Sequence, residues 1–278
     1  MLFLKKRYKE LFLIFLTLLI FYRSPYIFLN GRFIAEEGAW WFSNAFNNGP
    51  LSGLFYIYWG SSYFNFWANI SSVFASLLPL EIAPMATVYM AFIVKLYMFF
   101  YIFYSNSDFL KNNFDKSIIS LVLLLAPMMT STIWLNTLVS QIYFTIIVIL
   151  IFFQKENSNL IIDKFSNFII FVAGITSILP CFFTPFFFLK YFKKKTKYHF
   201  WRFVSSFIPF ILQSSIFIYS SLMNLTDENR FFLSISKLIN FLYNVPVKSI
   251  FGTDLSKFIF YDFLNSNMLV AISGTFIL

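Results

Sequence analysis

An all-α, polytopic transmembrane bundle is the fold class this sequence predicts, and three observations predict it. The chain is 59% apolar and only 12% charged, with a mean hydropathy of +0.73. Phe alone supplies 43 of its 278 residues, and apolar runs long enough to cross a bilayer recur along it. Those runs do not alternate polar with apolar residues, so a barrel of strands does not fit, and helices must satisfy the backbone inside the membrane. About eight spans are expected within a single domain covering residues 1–278.

Helix 1 falls at about residues 11–29, behind the basic run Lys5-Lys6-Arg7-Tyr8-Lys9. Basic flanks stay on the cytoplasmic side, which puts the N-terminus inside. Tyr22-Arg23-Ser24-Pro25 offers no small-residue cleavage site, so the helix reads as an uncleaved anchor. The next segment, about 30–80, is then an outer loop. It carries Trp40, Trp41, Trp59 and Trp67, residues that favour the headgroup layer. Residues 62–78 mix apolar residues with Asn and Ser, and read as an interfacial helix in preference to a span.

A clear span follows at about 82–104, and Lys111 and Lys116 mark the inside after it. Residues 117–153 are too long for one crossing and read as a hairpin with its outer apex near Pro127 to Asn136. Residues 165–190 have basic residues on both sides. Gly174, Pro180 and Pro185 break them into two short helices, or a re-entrant hairpin, with both ends inside. Lys190, Lys193, Lys194, Lys195, Lys197 and Arg202 define an inner basic loop over 190–202 that meets anionic headgroups, and His199 reads as a solvated member of it. A span at 203–223, a second outer segment at 224–257 and a last helix from about 258 complete the order. The sequence stops inside that apolar helix, which suggests a C-terminally truncated chain.

The formal charge of +9 is explained by these flanks, and a nucleic-acid partner is not indicated. The single cysteine, Cys181, excludes a disulfide framework and a thiol metal site.

In so apolar a chain, the adjacent acids Glu36 and Glu37 stand out. A carboxylate near the membrane can act as a general base, or it can be an ordinary loop residue. Adjacent helical residues point about 100° apart, so one of the two faces any cavity. Arg32, four residues before Glu36, could pair with it and position it, which favours Glu36 over Glu37 as the acid that faces the cavity. Lys95 lies well inside the 82–104 span, where a charge costs about 2.5–3.5 kcal/mol on insertion scales. It can meet an anionic ligand, or snorkel toward headgroups. Arg23 reads mainly as an interfacial anchor. Asn136 and Gln141 can hydrogen-bond a polar ligand or act as interhelical glue.

Several of these residues carry a family resemblance. Phe33, Ala35, Glu36, Glu37 and Gly38 form an aromatic-x-Ala-Glu-Glu-Gly element behind helix 1, followed by Gly60 and Tyr63. Pro127, Asn136 and Gln141 lie near the hairpin apex, and Gly174, Pro180 and Pro185 precede the basic loop. Over about residues 1–205 the pattern resembles the C-type (GT-C-like) multi-spanning glycosyltransferase superfamily, within it a group of bacterial membrane proteins with the Glu-Glu-Gly loop.

The resemblance implies sugar transfer from a polyprenyl-phosphate-linked donor to a lipid-linked or cell-surface glycan acceptor, such as polysaccharide or lipopolysaccharide, at the outer face of a bacterial inner (cytoplasmic) membrane. On that reading Glu36 and Glu37 are the candidate catalytic acids and Asn136 and Gln141 candidate substrate contacts, joined by Arg32 and Lys95 on the residue chemistry above. No metal ligands are assigned; the cofactor stays open, with a divalent metal as one option. One departure is that the apex carries Asn136 where many members carry a further acid; Asp227, Glu228 or Asp254 could substitute. The alternative function is a transporter, flippase or polymerase-associated protein for lipid-linked glycans, motivated by Lys95 and the broken 165–190 segment.

Overall fold

The structure is a computed structural model and describes residues 7–34, 36–107, 110–125, 135–155 and 161–225. The chain divides into two compact units, residues 1–124 with 135–227 and residues 125–134 with 228–278. Apart from Leu125, the described residues belong to the first. Ala35, Pro127, the second outer segment beyond Leu225 (with Asp227, Glu228 and Asp254) and the terminal helix lie outside the described residues.

All regular structure among the described residues is helical. The helices are α1 (Tyr8–Arg23), α2 (Pro25–Asn30), a π-helix (Glu37–Phe42), α3 (Ser43–Asn48), α4 (Pro50–Leu54), a 3-10 turn (Trp59–Ser61) and α5 (Phe66–Ser76). Then come α6 (Ala83–Tyr104), α7 (Asn113–Leu125), α8 (Ser140–Phe152), α9 (Ile161–Thr176), α10 (Ile178–Cys181), α11 (Thr184–Lys194) and α12 (Lys197–Leu222). Local chemistry sets many of the starts. Pro25, Pro50, Pro84 and Pro185 sit in first turns, where no backbone donor is missed. Asn65, Ser177 and Thr196 cap α5, α10 and α12 through their side-chain oxygens.

Side-chain bonds sort the helix ends into two sets. At one end, Tyr8 pairs with Ser117 (2.8 Å), Tyr104 donates to Glu10 (3.0 Å), and the Lys116 ammonium donates to the Phe103 and Ser105 carbonyls. Tyr101 and Arg202 both donate to Gln154, and Lys190 donates to the Phe152 carbonyl. This end therefore gathers the starts of α1, α7 and α12 with the ends of α6, α8 and α11. At the other end, Gly31 abuts the start of α6, Glu37 meets Thr137 just before α8, Ser177 after α9 donates to Gln141 of α8, and Ser220 of α12 pairs with Ser62. Successive long runs thus alternate in direction. In particular, α9 rises and α11 returns, which is the two-helix arrangement expected for 165–190.

Two described helices are long and apolar enough to cross a membrane, α6 with 22 residues and α12 with 26. Their lengths are about 33 and 39 Å at 1.5 Å per residue. The other runs are shorter; α7 and α8 have 13 residues each and α11 has 11. By length, then, the count of about eight spanning helices is not supported. The 11-residue α5 lies within the segment 62–78 expected to be helical. It packs on α6 and buries Asn69, Ser71 and Ser72. Asn69 donates to the Leu54 and Tyr56 carbonyls, so its polar residues pin the preceding loop.

The helix α12 is inside-out relative to a helix in water. Its buried residues are His199, Arg202, Ser206, Pro209, Gln213 and Ser220, spaced three or four apart with one gap of seven. Its exposed face carries Trp201, Ile208, Ile211, Ile218 and Leu222. Polar groups inward and apolar groups outward is the arrangement expected where the surroundings are apolar. The basic segment 190–202 falls on the end of α11 and the start of α12, joined through Lys195 and Thr196. His199, expected to be solvated, is buried, because Thr196 starts the helix three residues earlier and turns it inward.

The α9–α12 crossing is held by two devices. Gln213 donates to the Phe64 carbonyl (2.9 Å) and the Gly174 carbonyl (3.0 Å), and accepts from the Phe64 N–H (3.0 Å). A Cβ on Gly174 would stand 2.5 Å from Pro209 Cβ. Gly174→Val is therefore expected to destabilise the detergent-solubilised protein by about 1–3 kcal/mol through overpacking, read as a lowered melting temperature. An unchanged melting temperature would show that the crossing can open.

Candidate functional site: a buried acid tethers the acid-bearing loop

The Glu36-Glu37 segment is positioned by three local features. Gly31 has φ +61°, and a Cβ there would lie 2.6 Å from the Met85 nitrogen, so glycine lets the chain turn against the start of α6. Phe33 packs on Phe42 with ring centres 4.4 Å apart, and Phe42 joins Ala75 and Ala83 in a small apolar cluster. Between them the chain winds as a π-helix from Glu37 to Phe42, a rare geometry that recurs at functional sites.

The two acids have different surroundings. Glu37 is 1% exposed. One carboxylate oxygen accepts the Thr137 N–H (3.1 Å) and the Thr137 hydroxyl; the other accepts the Ile34 N–H (3.3 Å). Burial pushes this carboxyl up to about 7, against the pull of the Thr137, Ile34 and Thr87 donors. Glu37 is thus a tether joining the loop to the segment before α8. Glu36 is half-buried at the first position of the same turn, and Arg32 is half-buried on the approach to it.

Asn136 is buried beside Thr137, and its side-chain oxygen accepts from the Leu138 N–H (2.6 Å) as the chain enters α8. Leu135, just before it, holds φ +54°. Gln141 accepts from Ser177 (2.8 Å), linking α8 to the break between α9 and α10. Lys95 is fully buried in α6, with its ammonium 5.3 Å from the centre of the Tyr143 ring on α8. The Arg23 guanidinium repels the same ammonium and donates to the Leu124 carbonyl at the end of α7.

The structure therefore brings Glu37 onto Thr137, next to Asn136, with Gln141 and Tyr143 one and two turns along the same run; Glu36 is tied to this group as the chain neighbour of Glu37. Lys95 of α6 meets this run at Tyr143. Sequence reasoning missed Thr137, Thr87 and Tyr143. Thr137 lies 100 residues from Glu37, and only its place next to Asn136 could have drawn notice. Among the described residues, no group of three or more His, Cys, Asp or Glu side chains could hold a metal ion.

Beside the site, an apolar cavity of about 430 Å³ lies between α5, α6, α8 and α9, lined by residues including Trp67, Val94, Phe144 and Ile175. A second cavity, of about 480 Å³, is formed by residues 52–60 of the loop. Comparison with known proteins finds no matching family model, no matching curated protein and no matching solved structure.

Proposed function

We propose that this chain is an integral membrane glycosyltransferase that moves a sugar from a polyprenyl-phosphate-linked donor to a cell-surface glycan or lipid acceptor. The observation that carries the reading is the division of labour between the two acids: Glu37 is buried and tethers the loop, while Glu36 is presented half-buried at the same turn. The inverted polarity of α12 supports a membrane setting. Lysine-rich flanks lie at the end opposite Glu37, which supports an N-terminus in the cytoplasm of a bacterium and an acid-bearing loop on the outer face.

In the proposed step, Glu36 takes the proton of an acceptor hydroxyl, and that oxygen attacks the anomeric carbon of the donor sugar. The bond from the anomeric carbon to the phosphate oxygen breaks, and the lipid phosphate leaves with the electron pair.

The test is Glu36→Gln and Glu36→Asp in cells producing normal membrane levels of the protein. The amide is expected to abolish the surface-glycan change that the wild type supports, by 100-fold or more on the scale typical of a lost general base of about 10²–10⁴. The shorter acid is expected to retain part of it. Unchanged glycan with Glu36→Gln would refute the assignment.

The cavity between α5, α6, α8 and α9 favours a second reading, a transporter of lipid-linked glycans, because its apolar lining suits a hydrocarbon chain. Transport would not depend on Glu36, so glycan translocation that survives Glu36→Gln would select this reading.

A further inference from the structure

We infer that the cavity formed by residues 52–60 is a carbohydrate-binding subsite, which takes an acceptor sugar next to the acid pair. The inference rests on the glycosyl-transfer reading and adds to it the surface that would hold the second substrate.

The cavity is lined by aromatic rings and polar groups together: Ser52, Phe55, Tyr56, Tyr58, Trp59 and the Gly60 backbone. Its volume of about 480 Å³ lies within the ~300–1,000 Å³ usual for small-molecule sites. Trp40 stacks on the Tyr58 wall with ring centres 5.1 Å apart and planes 21° apart, and is 45% exposed. Trp41 is 1% exposed and wedges edge-on against both Tyr56 (6.3 Å) and Tyr58 (5.7 Å). Trp40 and Trp41 therefore brace the Tyr56 and Tyr58 rings that line the cavity.

The backbone that carries them is held as well. Asn69 of α5 donates to the Leu54 and Tyr56 carbonyls, each at 2.9 Å. Ser220 of α12 donates to the Trp59 carbonyl at 3.0 Å, and the Trp59 ring packs on Tyr219 at 5.2 Å. A loop pinned by buried side chains from two helices is preorganised, so little ordering entropy remains to be lost on binding.

This chemistry selects a sugar. A pyranose has C–H faces that lie on aromatic rings and hydroxyls at its edge that need hydrogen-bond partners. Tyrosine and tryptophan combine an apolar body with a polar tip. A hydrocarbon chain would find no use for the phenol and serine hydroxyls, and suits the wholly apolar cavity beside α6 instead. Continuity with the acid pair is given by the π-helix, which begins at Glu37 and carries Trp40 and Trp41.

The test is titration of the protein's tryptophan emission in detergent with methyl glycosides of glucose, galactose, mannose and N-acetylglucosamine. At least one is expected to give a saturable change. Binding should weaken about tenfold in Tyr58→Ala, the equivalent of one aromatic stacking contact, and also weaken in Trp40→Ala, which removes the ring that supports Tyr58. It should persist in Trp40→Phe, which retains a ring, with melting temperature showing that each variant is folded. Glu36→Gln should bind as the wild type does while losing transfer. No saturable change with any glycoside, or equal affinity in the alanine variants, would overturn the subsite. Strong quenching of Trp40 and Trp59 by brominated-chain lipids in nanodiscs would also overturn it, by placing the rings in the bilayer. If Glu36→Gln still transfers sugar but binding behaves as described, the catalytic reading falls and the subsite stands.

Discussion

Replacing Glu37 with alanine is expected to release the acid-bearing loop and to lower stability by about 3 kcal/mol. The carboxylate is the buried acceptor for the Thr137 N–H, the Thr137 hydroxyl and the Ile34 N–H. Each donor left buried without an acceptor costs about 1–3 kcal/mol. Limited proteolysis should then cut within residues 30–60, and the melting temperature in detergent should fall. Glu37→Gln should do less harm, because the amide oxygen can still accept at one side.

The same residue gives a pH dependence whose sign follows from its surroundings. Burial raises the folded carboxyl from 4.5 to about 7, so between these values the folded state binds a proton that the unfolded state does not. Stability is therefore fully present below about pH 4.5, falls as pH rises through about 7, and levels off above it. Glu37→Gln should flatten that slope. A wild-type protein whose stability rises over this window would contradict the buried placement of Glu37.

Arg202→Leu is expected to be at least as damaging. The guanidinium is fully buried and donates to the Ile151 carbonyl and the Gln154 side-chain oxygen. It also lies 4.1 Å from the centre of the Tyr198 ring, and Tyr101 reaches the same Gln154 oxygen. One side chain thus fastens the start of α12 to the ends of α8 and α6. Its loss removes two charge-assisted bonds of about 1.5–3 kcal/mol each. Arg202→Lys should rescue little, since an ammonium cannot supply two donors in a fixed fork. Changing the exposed Lys193 or Lys194 to Gln should leave the melting temperature within about 0.5 kcal/mol of wild type in equivalent stability. The comparison is made by thermal denaturation monitored by size exclusion, and equal behaviour of Arg202→Leu and Lys193→Gln would remove the network from the account.

Much of the architecture was legible in the sequence because it depends on local features. Pro180 and Pro185 broke the 165–190 segment where the structure turns, at Ser177 and again before Thr184. The preference for Glu36 as the presented acid came from the spacing of Arg32; the structure separates the acids on other grounds, by burying Glu37 under Thr137. That contact was not legible, since no local pattern links residues 100 positions apart. The stripe His199, Arg202, Ser206, Gln213 and Ser220 follows a helical period, but its start falls in the basic run. The neighbouring lysines suggested a solvated loop, whereas helix formation from Lys197 turns His199 and Arg202 inward. Helix length was the other miss. Apolar composition predicts residence in an apolar setting, but chain breaks at Ser24, Ser177 and Phe182 shorten individual helices below a full crossing.

In the proposed reaction Glu36, presented by a loop that Glu37 holds in place, removes the proton of a sugar acceptor. The most direct measurement compares incorporation of labelled sugar into lipid or polymer by membranes carrying the wild-type chain and by membranes carrying Glu36→Gln at equal protein levels. The account predicts incorporation that depends on the wild-type chain and falls to background with Glu36→Gln, while the melting temperature stays unchanged. Equal incorporation by the two membranes would contradict it.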